Sequence, residues 1–341
     1  MSAPLAPDET FRFDRLEDLA RLPWFDVDGG RLVVADRTVG PIIDMHAHLA
    51  LPAIWPHRID LARDTGETEL LLPCCARHDL DVYANHNFGA LGLRRLKRAL
   101  VLGGLTGGGG RRTHTAPNLA RDARDVGIVH SAILAIDLGI PSRSVADTVA
   151  AAVRGDGTTA FASVHPRRRR PKEKLEDQLH AGARGLKLHP QLQQFLPSAP
   201  AAMALYALAA RERIPVLWHC GPVGIELASA RRFVQVAGYE PPLAEHPDTT
   251  FVLGHAGGLA CDQAIELQRR HANAYLEISS ISLSQLRQVV AEADPERIVY
   301  GTDWPFYHHA LALAKVLVAT EGRPALRRKI LHDNAARLLR L

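Results

Sequence analysis

The sequence predicts an α/β chain folded as a (β/α)8 barrel, with a long insertion after the first strand. Two observations carry this. Eight short apolar runs, each followed by a polar turn, recur along the 341 residues. Between them lie helix-period segments rich in Ala, Leu, Arg and Glu, so the strands run parallel with crossover helices, and eight such units fit a closed barrel better than an open sheet. With 47% hydrophobic and 23% charged residues the chain is ordinary for a globular protein with a large core.

In order, residues 1–40 read as an N-terminal extension packing on the barrel, with "RLVVADRTVG" as a short strand and turn. The barrel occupies 41–341. Its first strand is "IIDMHAHL", where Asp44, His46 and His48 alternate through an apolar run, so strand geometry points all three to one spot. An insert at about 51–126 comes next, too long for an ordinary βα connection, and reads as a lid over the strand ends. The glycines Gly107 to Gly110 lack the Lys-Ser/Thr of a phosphate loop and read as a mobile hinge. The later strands are "GIVHSAILAID", "TAFASVHP", "GLKLHP", "IPVLWHC", "TTFVLGHA", "AYLEISS" and "RIVYGTDW", and helices such as "PAAMALYALAARER" and "CDQAIELQRRHA" separate them. The end, "RPALRRKILHDNAARLLRL", reads as two short helices on the barrel's outside.

A net charge of +4 is too small and unclustered to argue for nucleic acid, and is compatible with an anionic small-molecule substrate. Four cysteines in no disulfide or CxxC pattern point to a reduced, cytoplasmic protein. The opening residues do not resemble a secretory signal, and no apolar run reaches the roughly 18 residues of a membrane span. A homo-oligomer stays open.

His46 and His48 end strand one, His219 strand five, His255 strand six and Asp303 strand eight. A barrel gathers strand ends on one face, so four imidazoles and a carboxylate meet there as a metal site. Neutral imidazole and carboxylate suit Zn²⁺ or a similar divalent ion, with a position left open for water. His57, His78, His86, His114 and His130 carry no such pattern and read as ordinary core or surface residues.

The ordered set "DMHAHL", "KLHP", "WHCG", "GHAGG" and "YGTDWPF", with a terminal "NAARLL", resembles the amidohydrolase superfamily from about Pro41 onward. Within it, the likeness is to the amidohydrolase-related branch that holds the aminocarboxymuconate-semialdehyde decarboxylase type. The resemblance implies that His46, His48 and His219 bind metal and that Asp303 both ligates metal and handles the proton of the attacking water. It also implies that His255 binds a second metal or acts as acid/base. Superfamily members carry one or two ions, and in two-metal relatives such as the phosphotriesterase type a carboxylated strand-four lysine bridges them. Lys187 holds the corresponding place; its alternative is an unmodified lysine paired with a carboxylate or a substrate anion. His189 either closes its strand before a proline or touches substrate. Arg167, within "RRRR", is placed to grip a substrate carboxylate, and Trp304 and Phe306 to wall an apolar or aromatic substrate. Asp44 is expected to orient a ligand or to be tied to the barrel interior. The activity implied is hydrolysis of an amide, ester or lactone of a small organic acid, or, on the same scaffold, non-oxidative decarboxylation of an unsaturated or aromatic acid.

Overall fold

The computed structural model describes residues 11–52, 54, 58–140 and 142–341, so His57 lies outside the described residues. Eight strands pair in chain order: β1 (Ile42–Ala47), β2 (Ile128–Leu134), β3 (Thr158–Ala162), β4 (Gly185–Leu188), β5 (Val216–His219), β6 (Phe251–Gly254), β7 (Ala274–Glu277) and β8 (Ile298–Val299). Each neighbouring pair is parallel. The sheet closes on itself: the Met45 N–H donates to the Tyr300 carbonyl at 2.9 Å and the Asp303 N–H to the His46 carbonyl at 2.8 Å, beside a parallel bridge from Ala47 to Trp304. The eight predicted strands and the barrel they form are therefore all present.

Local chemistry sets the helix boundaries. Pro171 and Pro200 open the helices Pro171–His180 and Pro200–Arg211, where a missing N–H costs nothing. Leu283–Glu292 starts on a reciprocal cap between Ser282 and Gln285. Inside the barrel Ile43, Met45, Leu134, Phe161, Leu217, Val252 and Val299 form one apolar cluster. Phe161 is accommodated because position 185 is glycine: a Cβ there would stand 2.3 Å from its ring. The last helix, Asn334–Leu339, differs from the sequence expectation, since Ala335 packs into this interior cluster rather than on the barrel's outside.

The connection from β1 to β2 carries the helices Gly89–Thr106 and Ala116–Asp125. Gly107 ends the first in a left-handed conformation (φ 62°), so the glycine run serves as a helix stop leading into the turn Gly109–Thr113. Arg111 fastens this segment by donating to the carbonyls of Leu51, Pro52 and Leu100. At the N-terminus, Arg12–Phe13 pairs antiparallel with His78–Asp79 of the insert, and Phe25–Asp28 with Arg31–Val34. Phe13 and Trp24 join the main core. Among the described residues no helix is long and apolar enough to cross a membrane.

Candidate metal centre

His46 and His48 meet as their alternation predicts, with Nε2 atoms 3.2 Å apart. Asp44 does not join them. The β1–β2 register shifts between Asp44 and Ala47, and the Asp44 carboxylate accepts the N–H groups of His46 and Thr302 and the Thr302 hydroxyl, at 2.9, 3.0 and 2.6 Å. It thus ties β1 to the chain leaving β8. Burial pushes its carboxyl up to about 7.

The ring protons can be assigned from the partners. His46 Nδ1 lies 2.6 Å from Glu277 Oε2, and His48 Nδ1 lies 2.8 Å from the Leu134 carbonyl, both acceptors. Burial, and after it the Lys187 charge, hold both imidazoles far below the ordinary value, His48 at about 3, so both are neutral. Each Nδ1 then carries the proton, and two Nε2 lone pairs face each other. Asp303 Oδ1 is 3.7 Å from both nitrogens. Three electron-rich atoms thus converge in a buried site beside Lys187 Nζ, an arrangement that a divalent ion among them would stabilise.

A second chain of bonds leads to His219. The Ser279 hydroxyl donates to Glu277 Oε2 at 3.0 Å and so accepts from His255 Nδ1 at 2.8 Å. His255 Nε2 is then the acceptor for His219 Nδ1 at 3.1 Å. That leaves a lone pair on His219 Nε2, which is buried without a partner. Glu277 therefore fixes the tautomers of His46 directly and of His219 through Ser279 and His255. The residues fit a divalent ion: His46, His48 and Asp303 form a compact buried group of imidazole and carboxylate donors, and His219 Nε2 is a buried, partnerless lone pair in the same cavity lining.

Glu277 was missed by sequence reasoning. Its signal was a carboxylate ending an otherwise apolar strand, "AYLE", where burial demands a partner. Three of the side-chain-bearing residues with positive φ stand at the site: His255, Ser280 and Asp303, at 55°, 67° and 59°.

Lys187 is buried with Nζ 3.3 Å from His46 Nε2. Burial lowers it to about 8, against the pull of Glu277 and Asp303. Asp303 is pushed well above the carboxylate range by burial and by Glu277. His189 stacks on His219 with centroids 4.0 Å apart.

Above these groups opens a cavity of about 380 Å³, whose lining includes His46, His48, Lys187, His189, His219, His255 and Asp303. The insert supplies Leu51, Leu100, Val101, Leu105 and Arg111 to its walls, as a lid would. Two expected substrate contacts are placed elsewhere. Arg167 donates to the Gln194 carbonyl, and its neighbour Arg168 is the one held, on Asp137. Trp304 comes after Asp303 on a segment bridged to β1, so its side chain points opposite to the carboxylate and donates to Asp122 Oδ2 at 3.3 Å. Neither lines the cavity, whereas Phe306 and Tyr307 do.

Residues 43–341 match the Amidohydro_2 (Amidohydrolase) family. Solved structures of similar fold include an uncharacterized TIM-barrel protein from Bordetella bronchiseptica, with a TM-score of 0.62 at 19% identity over 88% of this chain and 99% of that one. A 2,6-dihydroxybenzoate decarboxylase from Rhizobium gives 0.55 at 16% identity over 87% and 99%. A "probable 2-pyrone-4,6-dicarboxylic acid hydrolase" from Acinetobacter baumannii, solved with citric acid bound, gives 0.53 at 14% over 89% and 100%. At these identities the likeness is one of fold. No curated protein matches the sequence.

Proposed function

Since the chain belongs to the amidohydrolase family, we propose that it is a metal-dependent hydrolase adding water to the carbonyl of an amide, ester or lactone of a small organic acid. The observation that carries this reading is the compact buried group of His46, His48 and Asp303 on a cavity with room for substrate, whose lining also holds His219 with its partnerless Nε2. Held by these four groups, Zn²⁺ or a similar divalent ion would supply Lewis-acid polarisation and a water acidified toward neutrality. A second ion requires carboxylation of Lys187, and a lowered amine value of about 8 keeps part of that lysine in the free-amine form the modification needs.

Asp303 takes the proton of the attacking water. Its backbone strain and the Ser280 hydroxyl at 3.4 Å hold the carboxylate toward the cavity. His255, held by Ser279, keeps His219 in its ligand tautomer. Lys187 places a positive charge at the cavity floor where negative charge develops on the substrate oxygen. Four free thiols, Cys74, Cys75, Cys220 and Cys261, support a cytoplasmic setting.

A second reading, decarboxylation, is favoured by one observation: Lys187 sits under apolar walls, so a carboxylate drawn to it would be stripped of water. The two readings separate in one assay. Purified chain is offered uncharged amides, esters and lactones, with proton release recorded, and unsaturated and aromatic acids, with CO₂ release recorded. Hydrolysis that Asp303→Asn lowers by about 10²–10⁴-fold supports the proposal. CO₂ release without hydrolysis replaces it by the second reading.

A further inference from the structure

Two glutamines on the short turn Pro190–Gln193 after β4 have opposite fates. Gln193 is fully engaged: its Oε1 accepts the His189 N–H at 2.7 Å and its Nε2 donates to the Asp137 carbonyl at 2.8 Å. Gln191 is nine-tenths buried, lines the cavity, and its Oε1 has no hydrogen-bond partner. A buried amide oxygen without a partner is costly, and a donor supplied by a ligand would relieve that cost. The same turn orients a complementary donor, because His189 Nδ1 accepts the Leu192 N–H at 3.3 Å, which leaves the ring proton on Nε2.

Beyond these groups, Lys187 and the Tyr83 hydroxyl, the lining offers an anion little. Away from the metal cluster the walls are aliphatic and aromatic, with Leu51, Leu105, Ile136, Leu138, Ile225 and Phe306 among them. The one arginine in the lining, Arg111, spends its donors on the carbonyls of Leu51, Pro52 and Leu100. Asn85 is likewise spent, donating to the Val223 carbonyl and accepting from the Tyr307 hydroxyl. A carboxylate pushed against these walls would lose its hydration without compensation.

We propose that the substrate has an uncharged apolar body beyond the scissile group and carries an N–H or O–H donor, which Gln191 Oε1 accepts while His189 donates to a substrate oxygen. This rests on the site assignment above but narrows the small-molecule partner from anionic to neutral, and it makes Gln191 the residue that selects amide over ester. It is separable from hydrolysis because binding can be read without turnover.

The test is calorimetric titration of the purified chain with 6-phenylhexanamide, its N,N-dimethyl derivative and its para-carboxylate, while ammonia release is monitored separately. The primary amide is expected to bind at least about tenfold more tightly than either analogue, the loss expected for one buried hydrogen bond or one desolvated charge. In Gln191→Leu the primary amide should fall to the affinity of the dimethyl amide, with the dimethyl amide unchanged. The para-carboxylate binding as tightly as the parent amide overturns the neutral-body inference, and an unaltered amide preference in Gln191→Leu overturns the role of Gln191. Selective binding without ammonia release in any variant leaves this inference standing and counts against amide hydrolysis alone.

Discussion

Glu277 governs the centre without being one of its ligands. Its carboxylate accepts from His46 Nδ1, the Ser279 hydroxyl and the His255 N–H, and these bonds decide which nitrogens keep lone pairs. Glu277→Gln is expected to weaken zinc affinity by about 10–100-fold in chelator competition while the chain stays folded; unchanged affinity would mean the tautomers are set elsewhere. Gly301 shows how closely the site is packed, since a Cβ there would stand 2.1 Å from Glu277 Oε1 and 2.8 Å from His46 Cβ. Gly301→Ala should therefore lose metal in the same assay. At this scale the sequence displayed what strand ends display: HxH, two later histidines, the lysine and the aspartate stood out as polar residues ending apolar runs. Three-dimensional pairing stayed hidden. Nothing local announces that Glu277 meets His46 across the barrel, or that a bulge separates Asp44 from the histidines two and four residues on.

The insert and the strand-end loops act as elements. Arg111 ties the helix Gly89–Thr106, through the Leu100 carbonyl, to the carbonyls of Leu51 and Pro52 after β1, and burial lowers its guanidinium to about 10. Arg111→Met should raise KM for the true substrate about tenfold, the worth of one or two such bonds, and leave metal content unchanged, because the ligands stand on strands. An equal loss of metal would show that the lid supports the centre as well. The loops after β2 and β3 are joined by Arg168 and Asp137 at 2.8 Å. Burial alone would raise the Asp137 carboxyl, but the Arg168 guanidinium and the N–H groups of His165 and Gly139 outweigh it and hold it below the ordinary value. A depressed folded value means that this pair stabilises above the unfolded carboxyl value and that the contribution fades as pH falls through the folded value. Arg168→Met should thus cost roughly 1–3 kcal/mol in urea unfolding at pH 7, and the gap to the parent should close on acidification. A gap that persists in acid would assign the loss to packing. The insert's length was legible as a lid, whereas its anchoring was not, because "GGGG" specifies freedom and only the folded chain shows Arg111, just after those glycines, fastening the segment.

For the whole molecule the barrel was legible because periodicity is a property of the entire chain: eight apolar runs alternating with helical segments leave few topologies open. What the pattern left open was closure. The bonds from Met45 and His48 to the chain after β8 bring Asp303 beside His46, so the first and last strands build the centre together. Phe161 fills the interior these strands enclose, and Phe161→Ala should cost about 3–5 kcal/mol, read by denaturant midpoint. The central claim is that these strand ends form a metal centre, and metal analysis of the purified chain beside the His46→Ala/His48→Ala double variant tests it most directly. The expected result is about one divalent transition-metal ion per parent chain and its loss from a double variant whose circular dichroism still reports the barrel. Full occupancy in the double variant, or a parent chain that neither carries metal nor takes up added zinc, would contradict it.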